Sequence, residues 1–251
     1  MTELQQKYME MSKDIVSILD DMNNNWSQYP DYLGWLDLNS PIVAHPDILF
    51  IGINPGPGRF IQWNWDDAKQ RLFEPSKRKL PEDYPTLWRS HIEWLKPNNA
   101  RKEGEWWDAN KKKFNHYPYY MCELLVRIYR HDYPYPATSR KELSGIFENK
   151  VMVTNLYPMA TFDIRCLNNL IGSYKDKTKI DIRKICCNHI ARLIELVNPR
   201  SVVLLGDTIS SELSNALCDL NTPYYCINRN YGWHSKDNIK TMADEIYKLM
   251  R

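Results

Sequence analysis

The segment Gly52-Ile53-Asn54-Pro55-Gly56-Pro57-Gly58 has the residue types and spacing best suited to chemistry. It ends the unbroken apolar run that follows Asp47, and such a run suits a strand buried on both faces of a parallel sheet. In a doubly wound sheet, ligands bind outside the carboxyl ends of the strands. Proline fixes φ, and glycine lets backbone N–H groups approach a ligand closely, so this loop is composed and placed for binding. A tight strand-to-loop turn without chemistry has the same composition. Two familiar phosphate loops are excluded. A P-loop needs Gly-Lys-Ser/Thr, yet no lysine lies between Asp47 and Lys69. A dinucleotide fingerprint needs a glycine where Ile61 stands.

Other chemistries find little support. There is no Gly-x-Ser-x-Gly elbow, His-Glu-x-x-His helix or EF-hand loop. The six cysteines form no C-x-x-C pair, and adjacent Cys186 and Cys187 point in different directions on a helix, so reduced thiols are expected rather than a zinc cage or disulfide framework. Cys186 and His189 share a helix face, but two weak ligands do not make a metal site. Metal and cofactor are both expected to be absent.

The 251 residues are 43% hydrophobic and 25% charged, which fits a globular protein and excludes disorder. Lys+Arg 33 against Asp+Glu 31 leaves a net charge of +2, which excludes a bulk polycation but not a local basic groove. Nothing approaches the ~18 apolar residues of a membrane helix, and no signal-peptide core is present. A cytoplasmic monomer is expected. The stretch from Trp88 to Trp107, with Lys96, Arg101, Lys102 and Lys111-Lys112-Lys113, mixes cations with rings as single-strand binders do. A solvated helix with a buried Trp-rich face explains it as well.

The elements that must position the loop are legible as periodic runs. Thr2 and Gln5 have capping-box spacing, and Leu4, Tyr8, Met11, Ile15, Ile18 and Met22 predict one amphipathic helix over 3–24. Beyond the first strand, buried strands are expected at Val151–Leu156, Ser201–Gly206 and, more weakly, Tyr224–Ile227. Helices are expected at 182–197, from a cap at Asp207 or Thr208 to about Leu220, and after a cap at Ser235. Strands alternating with helices imply a three-layer α/β/α domain with a central four-stranded parallel sheet. The whole chain, 1–251, reads as one domain with a helical insertion at about 75–150, its helices near 86–96, 103–113 and 119–130.

Three features together resemble the uracil-DNA glycosylase superfamily. Gly52-Ile53-Asn54-Pro55-Gly56-Pro57 is similar to the G-x-N-P-G-P water-activating motif of the single-strand-selective monofunctional and mismatch-specific branches. Val151-Met152-Val153-Thr154-Asn155 is similar to the second strand, which ends in an asparagine that reads the uracil edge. Val202-Val203-Leu204-Leu205-Gly206 resembles the third strand. The likeness covers roughly 46–251. The last motif departs from the family's His-Pro-Ser: Ile227 is followed by Asn228-Arg229-Asn230-Tyr231-Gly232-Trp233-His234-Ser235. Either His234 is displaced by several residues, or Asn228 takes its position and His234 belongs to a duplex-probing loop.

The resemblance implies a monofunctional DNA glycosylase that hydrolyses the N-glycosidic bond of uracil or a related damaged base in DNA. Asn54 would position the water and His234 or Asn228 would assist the leaving base. Asn155 would read the base, with Gly52, Ile53, Pro55 and Gly56 around it and Phe60, or else Trp63 or Phe73, as an aromatic floor. Arg229, Tyr231 and Trp233 would contact or wedge the DNA. Asn54→Ala is expected to abolish cleavage with little loss of stability. The rival reading is a non-catalytic nucleic-acid-binding module on the same fold, which salt-dependent binding without base release would reveal. A hydrolase of free nucleosides is a third.

Overall fold

The computed structural model describes residues 2–35, 38, 40–55, 107–108, 113–114, 124–125, 127–129, 149–228 and 236–251. Four short runs of apolar residues make the sheet: β1 (Ile48–Gly52), β2 (Val151–Asn155), β3 (Ser201–Leu204) and β4 (Tyr224–Cys226). All pair in parallel, in the order β2-β1-β3-β4. The sequence-predicted α/β class and four-stranded parallel sheet are what the chain adopts. β1 lies between β2 and β3, and its Ile48, Leu49, Phe50 and Ile51 are wholly buried, as a strand covered on both faces requires.

The helices whose bounds are described are α1 (Glu3–Met11), α2 (Lys13–Asn24), α3 (Ile164–Thr178), α4 (Ile182–Val197), α5 (Asp207–Asp219) and α6 (Lys236–Leu249), with a 3-10 turn at Trp26–Gln28. α1, α2, α3 and α5 all pack against α4, whereas α6 packs against β3 and β4. The arrangement is a three-layer α/β/α fold. The buried stripes are those the sequence periodicity marks, such as Ile182, Cys186, Ile190, Leu193 and Val197 on α4.

Several expectations are corrected. The single helix over 3–24 is two. The capping box of Thr2 and Gln5 forms as expected, but Ser12 leaves helical geometry and its hydroxyl donates to the Met9 carbonyl at 3.1 Å. A serine that bonds its own backbone competes with the helix there. The buried stripe continues across the break through Tyr8, Met11, Ile15 and Ile18. The cap of α5 is neither Asp207 nor Thr208 but Gly206, whose φ of 134° suits glycine, and Asp207 becomes the first helical residue. Within the region expected as a helical insertion, Trp107–Asp108 pairs antiparallel with Lys113–Phe114, so the described residues of the helix expected near 103–113 are strand instead. Residues 124–125 and 127–129 are helical, as expected for 119–130, with Leu124, Leu125 and Ile128 buried. The helices expected near 86–96 and the cap at Ser235 lie outside the described residues.

Residues 25–46 are the connector between α2 and β1, and α3 has no counterpart among the elements expected from sequence. Part of that connector covers the sheet's edge: Trp35 and Leu38 make antiparallel bridges to Met159 and Thr154. The Ser40 hydroxyl accepts the Val153 N–H at 2.8 Å. This satisfies backbone groups that an open edge strand would expose. α3 is capped by Asp163, whose carboxylate accepts the N–H groups of Arg165 and Cys166.

Candidate active site

Parallel pairing places Gly52, the last residue of β1, in register with Asn155, the last of β2. The chain beyond both strands stays stitched together, since the N–H groups of Leu156 and Tyr157 donate to the carbonyls of Gly52 and Ile53 at 2.8 and 2.9 Å. Asn54 and Asn155 therefore sit at the carboxyl ends of neighbouring strands, one in each of two joined loops.

Asn155 is buried, with 6% of its surface exposed. Its Oδ1 leans over Gly52, where a Cβ would meet it at 2.5 Å. A side chain on residue 52 would thus push the amide away, so glycine is needed for close approach rather than for backbone conformation. The other end of the amide, Nδ2, is buried with no hydrogen-bond partner among the described residues. Such a donor costs about 1–3 kcal/mol when left unmade. Native structures hold few of these groups, and a ligand acceptor is one way to satisfy them.

Asn54 is half-buried and oriented by its surroundings. Its Nδ2 donates to the Thr161 hydroxyl at 3.0 Å, to the Met159 carbonyl at 3.2 Å and to the Pro55 carbonyl at 3.2 Å. The Thr161 hydroxyl passes its own proton to the Asp163 carbonyl at 3.0 Å. Every neighbour of Nδ2 is an acceptor, which identifies the nitrogen end of the amide. Among the described residues nothing donates to Oδ1. Asn54 also ties the β1 loop to the β2 loop, so Asn54→Ala carries a stability cost that the sequence reading did not anticipate.

Beneath the β2 loop lies a part-buried polar cluster. The Tyr157 hydroxyl donates to Glu212 of α5 and accepts from Arg183 of α4 at 3.1 Å. Arg183 also pairs with Glu212 at 2.9 Å. Burial first, then the bond to the Glu212 carboxylate, pushes the Tyr157 phenol well above its ordinary value. Burial likewise raises the nearby Cys187 thiol to about 11, which makes it a poor nucleophile. The cluster holds the loop carrying Asn155 onto α4 and α5.

Of the expected site residues, Gly52, Ile53, Asn54, Pro55 and Asn155 are gathered at one place. Asn228 follows β4 on the same edge of the sheet but is exposed, and two strand spacings put β4 about 10 Å from β1. Gly56, Phe60, Arg229, Tyr231, Trp233 and His234 lie outside the described residues, as do the alternative floor residues Trp63 and Phe73. Sequence reasoning missed Thr161 and the Met159 carbonyl. Their only signal was a position a few residues beyond Asn155.

Among the described residues, no group of three or more His, Cys, Asp or Glu side chains could hold a metal. No helix among them is long and apolar enough to cross a membrane. Cys166, Cys186, Cys187, Cys218 and Cys226 are free thiols. Fold and site together define an α/β/α protein with two amides presented at the carboxyl ends of adjacent parallel strands. No family model matches the chain, and no curated protein matches it in sequence.

Proposed function

We propose that this chain is a monofunctional DNA glycosylase that hydrolyses the N-glycosidic bond of uracil or a related damaged base. The observation that carries the reading is the buried, unpartnered Nδ2 of Asn155 beside Gly52, next to the oriented amide of Asn54. An amide with one free donor and one acceptor suits the O4 and N3–H edge of uracil, and cytosine presents the opposite pattern. The base carbonyl would accept a hydrogen bond from Nδ2, which has no acceptor among the described residues.

In this reaction a water oxygen bonds to the sugar C1′ while the C1′–N bond breaks. The electron pair leaves on the base as an anion, and the proton that the water gives up is taken, through solvent, by the departing base, so that the products are the abasic sugar and the neutral base. Asn54 Oδ1 accepts a hydrogen bond from that water and aims it. An amide is too weak a base to remove the proton unaided, so the rate depends on positioning and on stabilising the anion. The base must be extruded from any stack to reach a site this deep. With no lysine at the catalytic positions, the product is an abasic site without strand cleavage.

The test is base release from oligonucleotides carrying one uracil, presented single-stranded, opposite guanine and opposite adenine. Alkali then reveals abasic sites, with Asn54→Ala protein alongside. Release by the wild type that vanishes in the variant supports the reading, and undiminished release by the variant sinks the role of Asn54. A second reading, a non-catalytic nucleic-acid-binding module, is favoured by the exposed position of Asn228 away from β1. Salt-dependent strand binding with no release of uracil, hypoxanthine or xanthine would select it.

A further inference from the structure

Thr161 is 1% exposed and joins the loop after β1, which lies far from it in sequence, to the start of α3. Its hydroxyl proton is committed to the Asp163 carbonyl, so the oxygen turns a lone pair toward Asn54 Nδ2. Asp163 is itself held in place as the cap of α3, where its carboxylate accepts from Arg165 N and Cys166 N at 2.8 and 2.9 Å. The chain of donors runs one way, from Asn54 through Thr161 to the start of α3. We infer that Thr161 is the positioning residue of this site, fixing the Asn54 amide with Nδ2 inward and Oδ1 as the end that meets water. This rests on the reading of Asn54 proposed above and deepens it.

The physical argument is one of polarity. A water that attacks carbon must offer its proton to an acceptor, and only Oδ1 can serve; an amide turned over would offer two donors instead. Half-exposed asparagines interconvert between the two orientations unless their neighbours distinguish them. Here the Thr161 hydroxyl and the Met159 carbonyl make the distinction from the β2 loop, and Thr161 is the partner whose side chain can be changed. Valine keeps the shape of threonine but has no acceptor. Serine keeps the acceptor.

The experiment compares wild type, Thr161→Val and Thr161→Ser in two measurements. The first does not depend on activity: exchange with water of the Asn54 side-chain amide protons, followed by nitrogen-15 NMR and assigned by their loss in Asn54→Ala. Slow exchange is expected in wild type and Thr161→Ser, and exchange about tenfold faster in Thr161→Val, equivalent to one hydrogen bond of ordinary net strength. The second is base release, where Thr161→Val is expected to lower kcat about tenfold with KM unchanged, and Thr161→Ser to restore it. Thr161→Ala replaces the valine variant if circular dichroism shows that valine unfolds the chain. Equal exchange in wild type and a folded variant lacking the hydroxyl overturns the inference. A raised KM with unchanged kcat also overturns it. If the wild type releases no base, the proposed function fails, while the exchange measurement still decides what Thr161 does.

Discussion

The two ends of the parallel sheet are built on opposite principles. At the amino end, Asp47 is 7% exposed, and its carboxylate accepts from the Tyr129 hydroxyl at 3.2 Å and faces Lys150 at 3.7 Å and Arg200 at 3.5 Å. Its backbone carbonyl takes both the N–H and the hydroxyl of Ser201. One residue thus clamps the starts of β1, β2 and β3 together, with its polar groups paired. At the carboxyl end Gly52 offers no side chain, Asn155 keeps a buried donor without a partner, and Asn54 presents an acceptor. The strands are tied shut below, whereas above them one buried amide donor goes without a partner among the described residues. Polar groups buried without partners lower stability, and on the proposed function the base would satisfy this donor.

This contrast can be broken or sharpened by substitution. The largest effect is expected from Asn54→Ala, which should slow base release about a thousandfold, or about 4 kcal/mol in the barrier. Denaturant unfolding should show a loss of about 1 kcal/mol, because the bonds to Thr161 and Met159 go with it. Gly52→Ala comes next. Its Cβ must displace the Asn155 amide, and a displacement near 1 Å should cost about a hundredfold in single-turnover release. If Gly52→Ala is as fast as wild type, Asn155 does not read the base.

Asp47→Ala probes the other end. Removing a buried carboxylate from its partners should cost about 2–3 kcal/mol in urea unfolding, below the full penalty for a buried pair because Lys150 and Arg200 remain largely solvated. Base release by the folded fraction should stay at the wild-type rate. A parallel loss of activity would mean that the two ends are not independent. Asn155→Leu should do the reverse, raising stability by about 1 kcal/mol as an orphan donor is removed, while release is lost.

The smallest effect concerns pH. The N–H of Cys166, followed by the Arg165 side chain and backbone, holds the Asp163 carboxyl below its ordinary 3.8. A group lowered on folding contributes stability that is fully present above 3.8 and lost as pH falls through its folded value. Acid titration of unfolding should therefore show a slightly shallower loss of stability in Asp163→Asn than in wild type.

The amino-acid sequence alone made the sheet legible. Apolar runs such as Ile48–Ile51 and Val151–Val153 have no polar face to expose, so they must be strands covered on both faces, and the intervening three-four periodicities must be helices on either side. Asn54 and Asn155 stood out because each closes such a run. Local signals carried this much, since a capping box or a glycine-proline turn depends on residues a few positions apart. Ser12 shows the limit even locally: a side chain bonded to its own backbone interrupts a helix that periodicity runs straight through.

What tertiary structure decided was the state of the two asparagines. Asn54 and Thr161 are separated by 107 positions, and only the parallel pairing of β1 with β2 makes them neighbours. The same pairing sets Asn155 above Gly52 and leaves its Nδ2 buried and unpaired. The connector that seals the edge beside Met159 was equally silent, because Trp35 and Leu38 acquire their strand-like role only once β2 is there to pair with. Residue type and order determine which elements form, through local backbone preference and the period of burial. Which amide end faces solvent, and which donor goes without a partner, depends on hydrogen bonds between distant segments and exists only in the folded chain.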